Sequence, residues 1–168
     1  MRNSTRYQFA VMILVVTKLV ITYVLGLYWV PTGSMEPTIK TGSLCLGWRL
    51  PYVMGDPQPH RGDIIIFKDP DTGVCYIKRV VGLPGDSISF VGGFTFVDDK
   101  QLNEGYLPEE GRTFADNDQS FNVPESSIYV LGDNRESSSD SRRRSDPYIP
   151  VADIQAKWLG SLVVLSQY

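Results

Sequence analysis

The sequence has little of the chemistry that metal centres and redox sites require. Its 168 residues include one histidine, His60, and two cysteines, Cys45 and Cys75. These residues do not have the spacing of metal ligands, so we expect no metal site and no cofactor. The net charge of −3 gives no support for a nucleic-acid partner, because phosphate backbones are bound by strongly basic surfaces.

The chain also lacks an internal repeat of fixed period. Its 15 glycines and 11 prolines are instead scattered between short apolar runs, a texture typical of an all-β domain with many turns. The length leaves room for one membrane segment and one compact domain of roughly 140 residues.

One long apolar run stands at the front of the chain. Residues 9–28, FAVMILVVTKLVITYVLGLY, have about the length of a helix that spans a bilayer. Arg2 and Arg6 precede the run with no acidic residue, and such positive flanks mark the cytoplasmic side. We therefore expect a cytoplasmic segment at 1–8, a transmembrane anchor at 9–28 and an extracytoplasmic domain at 29–168.

Two other interpretations of this run compete with the anchor. A removable secretory signal is disfavoured because no small-x-small cleavage site follows the run. A buried helix of a soluble domain is suggested by Lys18, since a lysine in the middle of a span costs on the order of 3 kcal/mol. The many apolar neighbours outweigh that cost, so we favour the anchor.

The first candidate for catalysis, Ser34, follows this run within a few positions. Gly33 before it permits a close approach of the backbone, and Pro37 restricts the residue that precedes it. Such a bend can present a hydroxyl and a free backbone N–H together. By itself a Gly-Ser-x-x-Pro segment is more often an ordinary loop. If Ser34 is a nucleophile, its position beside the span confines it to bonds presented at the membrane surface.

A serine nucleophile needs a base, and the sequence offers two. His60 lies in a proline-rich loop beside Arg61, where a solvated side chain is the simpler expectation. Lys78 lies in a β-branched segment, with Tyr76 and Val80 predicted on the same face of a strand. Burial among such apolar groups disfavours the charged amine. Neutrality near pH 7 requires its pKa to fall by roughly three units from about 10.4, or about 4 kcal/mol.

Four motifs in order resemble those of the bacterial type I signal peptidases. They are PTGSMEPT at 31–38, RGDIIIF at 61–67, YIKRVVGLPGD at 76–86 and GDNR at 132–135. Ser138, Asp140, Ser141 and Arg142 follow the last motif at the family spacing. The resemblance extends along the whole chain and includes the single anchor ahead of the first motif.

This resemblance implies a mainly β catalytic domain of antiparallel sheets, with Ser34 as nucleophile and Lys78 as general base. It further implies an oxyanion hole formed by the Thr32 hydroxyl and the Ser34 backbone N–H. Ser138 would hydrogen-bond the Lys78 amine and orient it. Four charged residues would form ion pairs around the dyad: Arg79, Asp133, Asp140 and Arg142.

The resemblance also implies a substrate class and a location. Signal peptides of exported preproteins would bind as an extended strand at Val30, Met35, Tyr76 and Ile77, with small residues accepted at the first and third positions before the scissile bond. The enzyme would lie in the bacterial cytoplasmic membrane, in contact with lipid. A short β insert at about 90–127 is expected to carry no chemistry.

Other functions stay open at this stage. The chain could be a specialised peptidase for pilin or conjugation-related precursors, or a catalytically inactive, membrane-tethered binding domain. A self-cleaving repressor protease shares Ser/Lys chemistry but would carry a DNA-binding segment in place of the span.

Two local features depart from the rest of the pattern. The run Arg142-Arg143-Arg144 replaces an aromatic-glycine pair that is common in the family. Such a run is typical of a solvated face, or it could contact anionic lipid. Cys45 and Cys75 would lie outside the cytoplasm, where either a disulfide or two buried thiols are compatible with the sequence.

Overall fold

A helix opens the chain in the computed structural model, which describes residues 2–55, 59–70, 72–108, 112–113 and 120–164. Helix α1, Arg2–Leu19, continues into a π-helical turn at Val20–Val24. Together they contain one segment, Thr5–Val24, that is long and apolar enough to cross a membrane. None of this segment is buried by the rest of the protein, so its apolar surface is available to lipid.

The structure corrects the predicted end of this anchor at residue 28. The chain leaves the helix at Leu25, whose φ and ψ are −123° and 152°, and enters a strand. Leu25–Val30 pairs with Ser43–Trp48 along its whole length. An apolar run does not distinguish a membrane helix from a buried strand, which is why residues 25–28 were assigned to the wrong element.

In the described parts of the chain, eleven strands form two antiparallel sheets. The larger has the order β1-β2-β11-β3-β4-β9-β10 and the smaller has the order β7-β6-β5-β8. The strands are β1 Leu25–Val30, β2 Ser43–Trp48, β3 Ile64–Lys68, β4 Cys75–Gly82, β5 Ser87–Val91, β6 Phe94–Val97, β7 Lys100–Gln101, β8 Phe121–Asn122, β9 Ser127–Leu131, β10 Ile149–Pro150 and β11 Ile154–Val164. A short helix, α2, spans Leu50–Val53. The predicted mainly antiparallel β fold is confirmed.

The β-branched segments predicted as strands form the core of the larger sheet. The two faces of β4 pack against different parts of the core. Ile77 packs with Val30 and Ile66 on one face, whereas Val80 packs with Ile65 on the other. This alternation follows from the two-residue period of a strand. It fixes the direction in which each side chain of β4 points, including that of Lys78.

The strands of the smaller sheet lie between residues 87 and 122 and therefore overlap the segment expected as a β insert. Its central hairpin joins β5 to β6 through Gly92 and Gly93, whose φ values of 60° and 86° favour glycine. Residues 109–111 and 114–119 of the insert lie outside the described residues.

The two cysteines are free. Cys45 is buried in β2, and Cys75 is exposed at the start of β4. Two strands, β11 and β3, separate β2 from β4 in the sheet, so the two cysteines do not lie on neighbouring strands. Neither the disulfide nor the pair of buried thiols considered from the sequence is present.

The arginine run is not a fully solvated face, because Arg143 is exposed but Arg142 is buried and Arg144 is partly buried. Arg142 is buried and forms an ion pair with Asp140 at 2.9 Å. Arg143 donates to the carbonyls of Glu136 and Ser138, both at 3.1 Å. Arg144 forms an ion pair with Asp69 at 2.6 Å. The run therefore stabilises the segment that follows β9 instead of leaving three guanidinium groups to solvent.

Candidate active site

Ser34 lies in the loop between β1 and β2 and is 8% exposed. Its carbonyl accepts a hydrogen bond from the Asn134 N–H at 3.1 Å, and the Asn134 side chain donates to the Gly33 carbonyl at 3.1 Å. The Glu36 N–H also donates to the Gly33 carbonyl, closing a tight turn at the serine. The loop is therefore fixed on both sides of its serine, which orients the hydroxyl.

Lys78, on β4, is brought to this hydroxyl. Its Nζ lies 2.8 Å from Ser34 Oγ and donates to the Ile77 carbonyl at 2.9 Å. Burial lowers the pKa of Lys78 to about 8, against the opposing charges of Asp140 and Asp133, which raise it. At pH 8 about half of these amines are then neutral, and a neutral amine can accept the serine proton.

Two ion pairs surround the dyad. Arg79 donates to both carboxylate oxygens of Asp133, at 2.8 and 2.6 Å. Asp133 also accepts a hydrogen bond of 2.5 Å from Thr38, in the loop that carries the serine. Arg142 pairs with Asp140, whose other oxygen accepts the Gly132 N–H at 3.0 Å. These pairs join the loop, β4 and the segment after β9 into one unit.

Ser138 is buried, whereas Ser137 and Ser139 are exposed, so the predicted member of this serine run is the one that faces the interior. The hydrogen bond expected from it to Lys78 is not made. In the described part of the chain, Ser138 Oγ has no hydrogen-bond partner. Its hydroxyl instead packs against Gly132, where an added Cβ would lie 2.2 Å from it, and the Lys78 amine uses the Ile77 carbonyl.

An oxyanion hole requires donors that are free in the resting enzyme. Among the described residues, the backbone N–H of Ser34 donates no hydrogen bond. Thr32 lines the same cavity as Ser34 and Lys78. The structure thus brings the predicted donors to the same opening as the dyad.

This opening is a cavity of about 320 Å³ between β1 and β4. Val30, Tyr76 and Ile77, three of the four predicted substrate-binding residues, line it. The fourth, Met35, does not; it is fully buried in the core with Ile39. The side chain that follows Ser34 could face either the cavity or the core, and the turn directs that of Met35 into the core.

The cavity is bordered by main-chain groups that are free to pair. β4 pairs with β3 along 75–79, but β9 joins its other side only from Arg79 onward. In the described residues, 75–78 therefore keep one free edge. β1 is the outermost strand of its sheet and also has one. An extended peptide lying between these edges would find hydrogen-bond partners on both sides.

His60 is not part of this arrangement. Its side chain is 79% exposed, and its Nδ1 lies 3.7 Å from Asp63. In the parts of the chain that the structure describes, no group of three or more His, Cys, Asp or Glu side chains could hold a metal ion. Lys78 is consequently the candidate base that the fold delivers to Ser34.

The sequence did not predict how the second sheet contacts the site. The ring of Tyr106 lies 3.9 Å from the guanidinium carbon of Arg79. Arg135 donates to Tyr106 Oη at 3.3 Å and forms an ion pair with Glu104. No motif marks Tyr106 or Glu104, whereas the Gly-Asp-Asn-Arg motif did mark Asn134 and Arg135 without giving their partners.

Comparisons with known proteins identify the family. Residues 4–162 match the family described as signal peptidase, peptidase S26. Signal peptidase I of Pseudomonas aeruginosa is 32% identical over 73% of this chain and 56% of that protein. Signal peptidase I P of Bacillus subtilis subsp. natto is 34% identical over 77% of this chain and 72% of that protein.

The fold gives the same result. The crystal structure of a signal peptidase I from Enterococcus faecalis superposes with a TM-score of 0.52 and 31% identity, covering 60% of this chain and 97% of that one. The chain spans little more than half the length of the Pseudomonas relative. The resemblance predicted from the four motifs is confirmed, and the chain belongs to the signal peptidase family, peptidase S26.

Proposed function

We propose that the protein is a membrane-bound serine endopeptidase that removes signal peptides from exported preproteins. The observation that carries the proposal is the buried contact of 2.8 Å between Ser34 Oγ and Lys78 Nζ, at a cavity with free strand edges. Membership in the signal peptidase family supports the substrate class. The proposed reaction is hydrolysis of a peptide bond after a small residue, at the membrane surface.

In the acylation step, neutral Lys78 accepts the Ser34 hydroxyl proton as Oγ attacks the scissile carbonyl. The developing oxyanion receives hydrogen bonds from the Ser34 N–H and the Thr32 hydroxyl, which stabilise the tetrahedral intermediate more than the substrate. Protonated Lys78 then donates its proton to the leaving amine, and the acyl-enzyme forms. In deacylation the same amine activates a water molecule.

The substrate lies between β1 and β4 in this proposal. Main-chain hydrogen bonds at both free edges hold the segment before the scissile bond in extended form. Val30, Tyr76 and Ile77 supply the apolar walls that exclude large side chains close to the bond. The walls are formed by packed core residues with little freedom to move, which accounts for a preference for small side chains.

The membrane arrangement is part of the proposal. Thr5–Val24 crosses the bacterial cytoplasmic membrane once, with the N-terminus in the cytoplasm and the catalytic domain outside. Arg2 and Arg6, at the start of this helix and ahead of the apolar run that begins at Phe9, support this orientation. Because β1 follows the span directly, the cavity lies close to the lipid surface, where a signal peptide emerges.

The experiment uses the full chain in proteoliposomes with a model preprotein. We expect the wild type to cleave the precursor, and Ser34→Ala and Lys78→Met to abolish cleavage while they retain the fold. Lys68→Met, an exposed lysine on β3, is the matched control and should cleave normally. Cleavage by Lys78→Met would contradict the dyad, and loss of cleavage in His60→Ala would make His60 the base.

Orientation is tested separately by adding an external protease to sealed, right-side-out vesicles of expressing cells. The proposal requires that the domain after Val24 be digested without detergent. A domain that is protected until detergent is added would place the active site in the cytoplasm and refute the topology.

A further inference from the structure

A second cavity, of about 330 Å³, lies beside the nucleophile loop. A larger share of its wall is polar than in the cavity between β1 and β4. Glu36, Asn134 and Glu136 contribute to its wall, together with Pro108 and Arg112 from the connecting segment of the smaller sheet. Nothing in the reaction described above uses this cavity.

The peptide unit of Ser34 is in contact with residues of both cavities. The serine lines the first cavity, where its hydroxyl meets Lys78. Its carbonyl is held by the N–H of Asn134, which lines the second. Glu36, two positions further along the loop, lines the second cavity as well. A chain that passes over Ser34 from the first cavity therefore meets the second.

The sheet dictates where such a chain must turn. An extended substrate can pair with the free edge of β4 only as far as Lys78, because β9 occupies that edge from Arg79 onward. The segment after the scissile bond has to leave the sheet at this point. Asp133 lies two residues after the end of β9, binds Arg79 and lines the second cavity, so open space adjoins the point where the substrate leaves β4.

We propose that the second cavity binds the polypeptide segment on the leaving-group side of the scissile bond, and that Glu36 and Glu136 favour a basic side chain in that segment. This inference rests on the proposed endopeptidase function and adds a specificity site to it. The ligand class is the first few residues of the mature protein in the uncleaved precursor.

The charges of the wall support this preference. Asp133 and Arg135 are already paired with Arg79 and Glu104. The Arg112 guanidinium is engaged with the β5–β6 hairpin, 5.7 Å from the Phe94 ring centre and within 3.3 Å of the Gly92 carbonyl.

Two carboxylates beside Asn134 remain. Glu36 Oε1 accepts two hydrogen bonds from Thr41, which leaves Oε2 for a ligand. Glu136 is exposed, and in the described residues its carboxylate has no ion-pair partner within 4 Å. In the described residues, Arg143 donates to the main-chain carbonyl of Glu136 and forms no ion pair with the Glu136 carboxylate. Arg112 keeps its positive charge, and the two carboxylates still leave the wall with a small excess of negative charge.

The test uses the full chain in detergent micelles and three precursor peptides. The peptides differ only at the second residue after the scissile bond, which is lysine, alanine or glutamate. For the wild type we expect kcat/KM to fall in that order, by roughly two- to fivefold between lysine and glutamate, as exposed charge pairs give. The Glu136→Lys variant should reverse the order of the three peptides. Glu136→Gln should keep the order but reduce the ratio of kcat/KM between the lysine and glutamate peptides.

Glu125→Lys, which makes the same charge change at an exposed site remote from the cavity, is the matched control and should keep the wild-type order. The alanine peptide reports any general loss of activity. Equal cleavage of all three peptides by the wild type, or an unchanged order in Glu136→Lys together with an unchanged ratio in Glu136→Gln, overturns the inference and leaves the proposed function intact. Failure of the wild type to cleave any peptide refutes the proposed function, and the inference falls with it.

Discussion

The ring of Tyr106 packs 3.9 Å from the guanidinium carbon of Arg79, the residue that follows the candidate base. This contact joins the smaller sheet to the catalytic strand. The same guanidinium is bound to both oxygens of Asp133, which is one of the two carboxylates that raise the pKa of Lys78. A residue of the insert is therefore coupled to the electrostatics of the dyad through a single arginine.

Replacing Tyr106 should disturb catalysis through this arginine. Tyr106→Leu removes the aromatic face, worth about 1 kcal/mol to a partly buried guanidinium, and opens the Arg79–Asp133 pair to water. Asp133 is then less well neutralised, so the pKa of Lys78 should rise and the acid limb of the kcat/KM profile should move to higher pH. Tyr106→Phe keeps the ring and should keep the wild-type limb. An unmoved limb in Tyr106→Leu would assign the ring a structural role only.

The pH dependence of the wild type follows from the lowered pKa of Lys78. The active form is the neutral amine, so kcat/KM should rise with pH and level off above about 8. Well below that value the rise should be about tenfold per pH unit, as expected for one essential base. The measurement is precursor cleavage between pH 5.5 and 9.5. A profile that is already flat at pH 6.5 would show that another group serves as the base.

The buried amine should also reduce the stability of the fold. Lys78 binds its proton with a pKa of about 8 in the folded protein and of about 10.5 in the unfolded chain. Between these values the unfolded chain holds more protons, so stability should rise with pH across this window.

Lys78→Met removes this titration and replaces a buried charge with an apolar side chain of similar length. We expect it to raise the free energy of unfolding by about 1–3 kcal/mol at pH 7 and to abolish the rise between pH 8 and 10.5. Thermal melts of the wild type and the variant in the same detergent test both points. A variant less stable than the wild type at pH 7 would contradict the argument from burial.

Gly132 is required for the geometry of the site. A Cβ at this position would lie 2.2 Å from Ser138 Oγ and 2.5 Å from the Ser34 carbonyl oxygen. Gly132→Ala must therefore displace the nucleophile loop, and a displacement of about 1 Å can lower kcat on the order of 100-fold.

Gly160→Ala on β11 has open space around the added methyl group and serves as the control, with nearly full activity expected. Precursor cleavage and a thermal melt of each variant separate misplacement from unfolding. Normal kcat in Gly132→Ala would mean that the loop adjusts without cost.

The parts of the site that could be predicted are those that ordered motifs mark. The resemblance carried by the four motifs pairs Ser34 with Lys78; the position beside the span and the apolar strand are compatible with this pairing but do not establish it. Residues 25–28 were misassigned because composition does not separate a lipid-facing helix from a strand that pairs with β2. The resemblance predicts a hydrogen bond from Ser138 to Lys78, which is absent from the structure, because the direction of this hydroxyl depends on its packing against Gly132.

Contacts between segments that are distant in the chain leave the weakest signal in the sequence. Tyr106 meets Arg79 only because the smaller sheet folds back onto β4, and its neighbours in the chain carry no signal of that contact. The run Arg142-Arg143-Arg144 has the composition of a solvated surface, yet each of its guanidinium groups finds an acceptor within the protein. Burial of such groups depends on the fold, since only the fold brings carboxylates and carbonyls to them.

The free edge of β4 is short because β9 takes it over at Arg79. An extended peptide can therefore form main-chain hydrogen bonds with only a few residues of β4 before it has to leave the sheet. Residues farther from the bond make no contact with this edge of the sheet. Under the proposed function, the helix ahead of β1 would also set the distance from the lipid at which a bond is cleaved. Substrates would then be selected by a short sequence and by their position at the membrane, so proteins that differ elsewhere would be cleaved by the same enzyme.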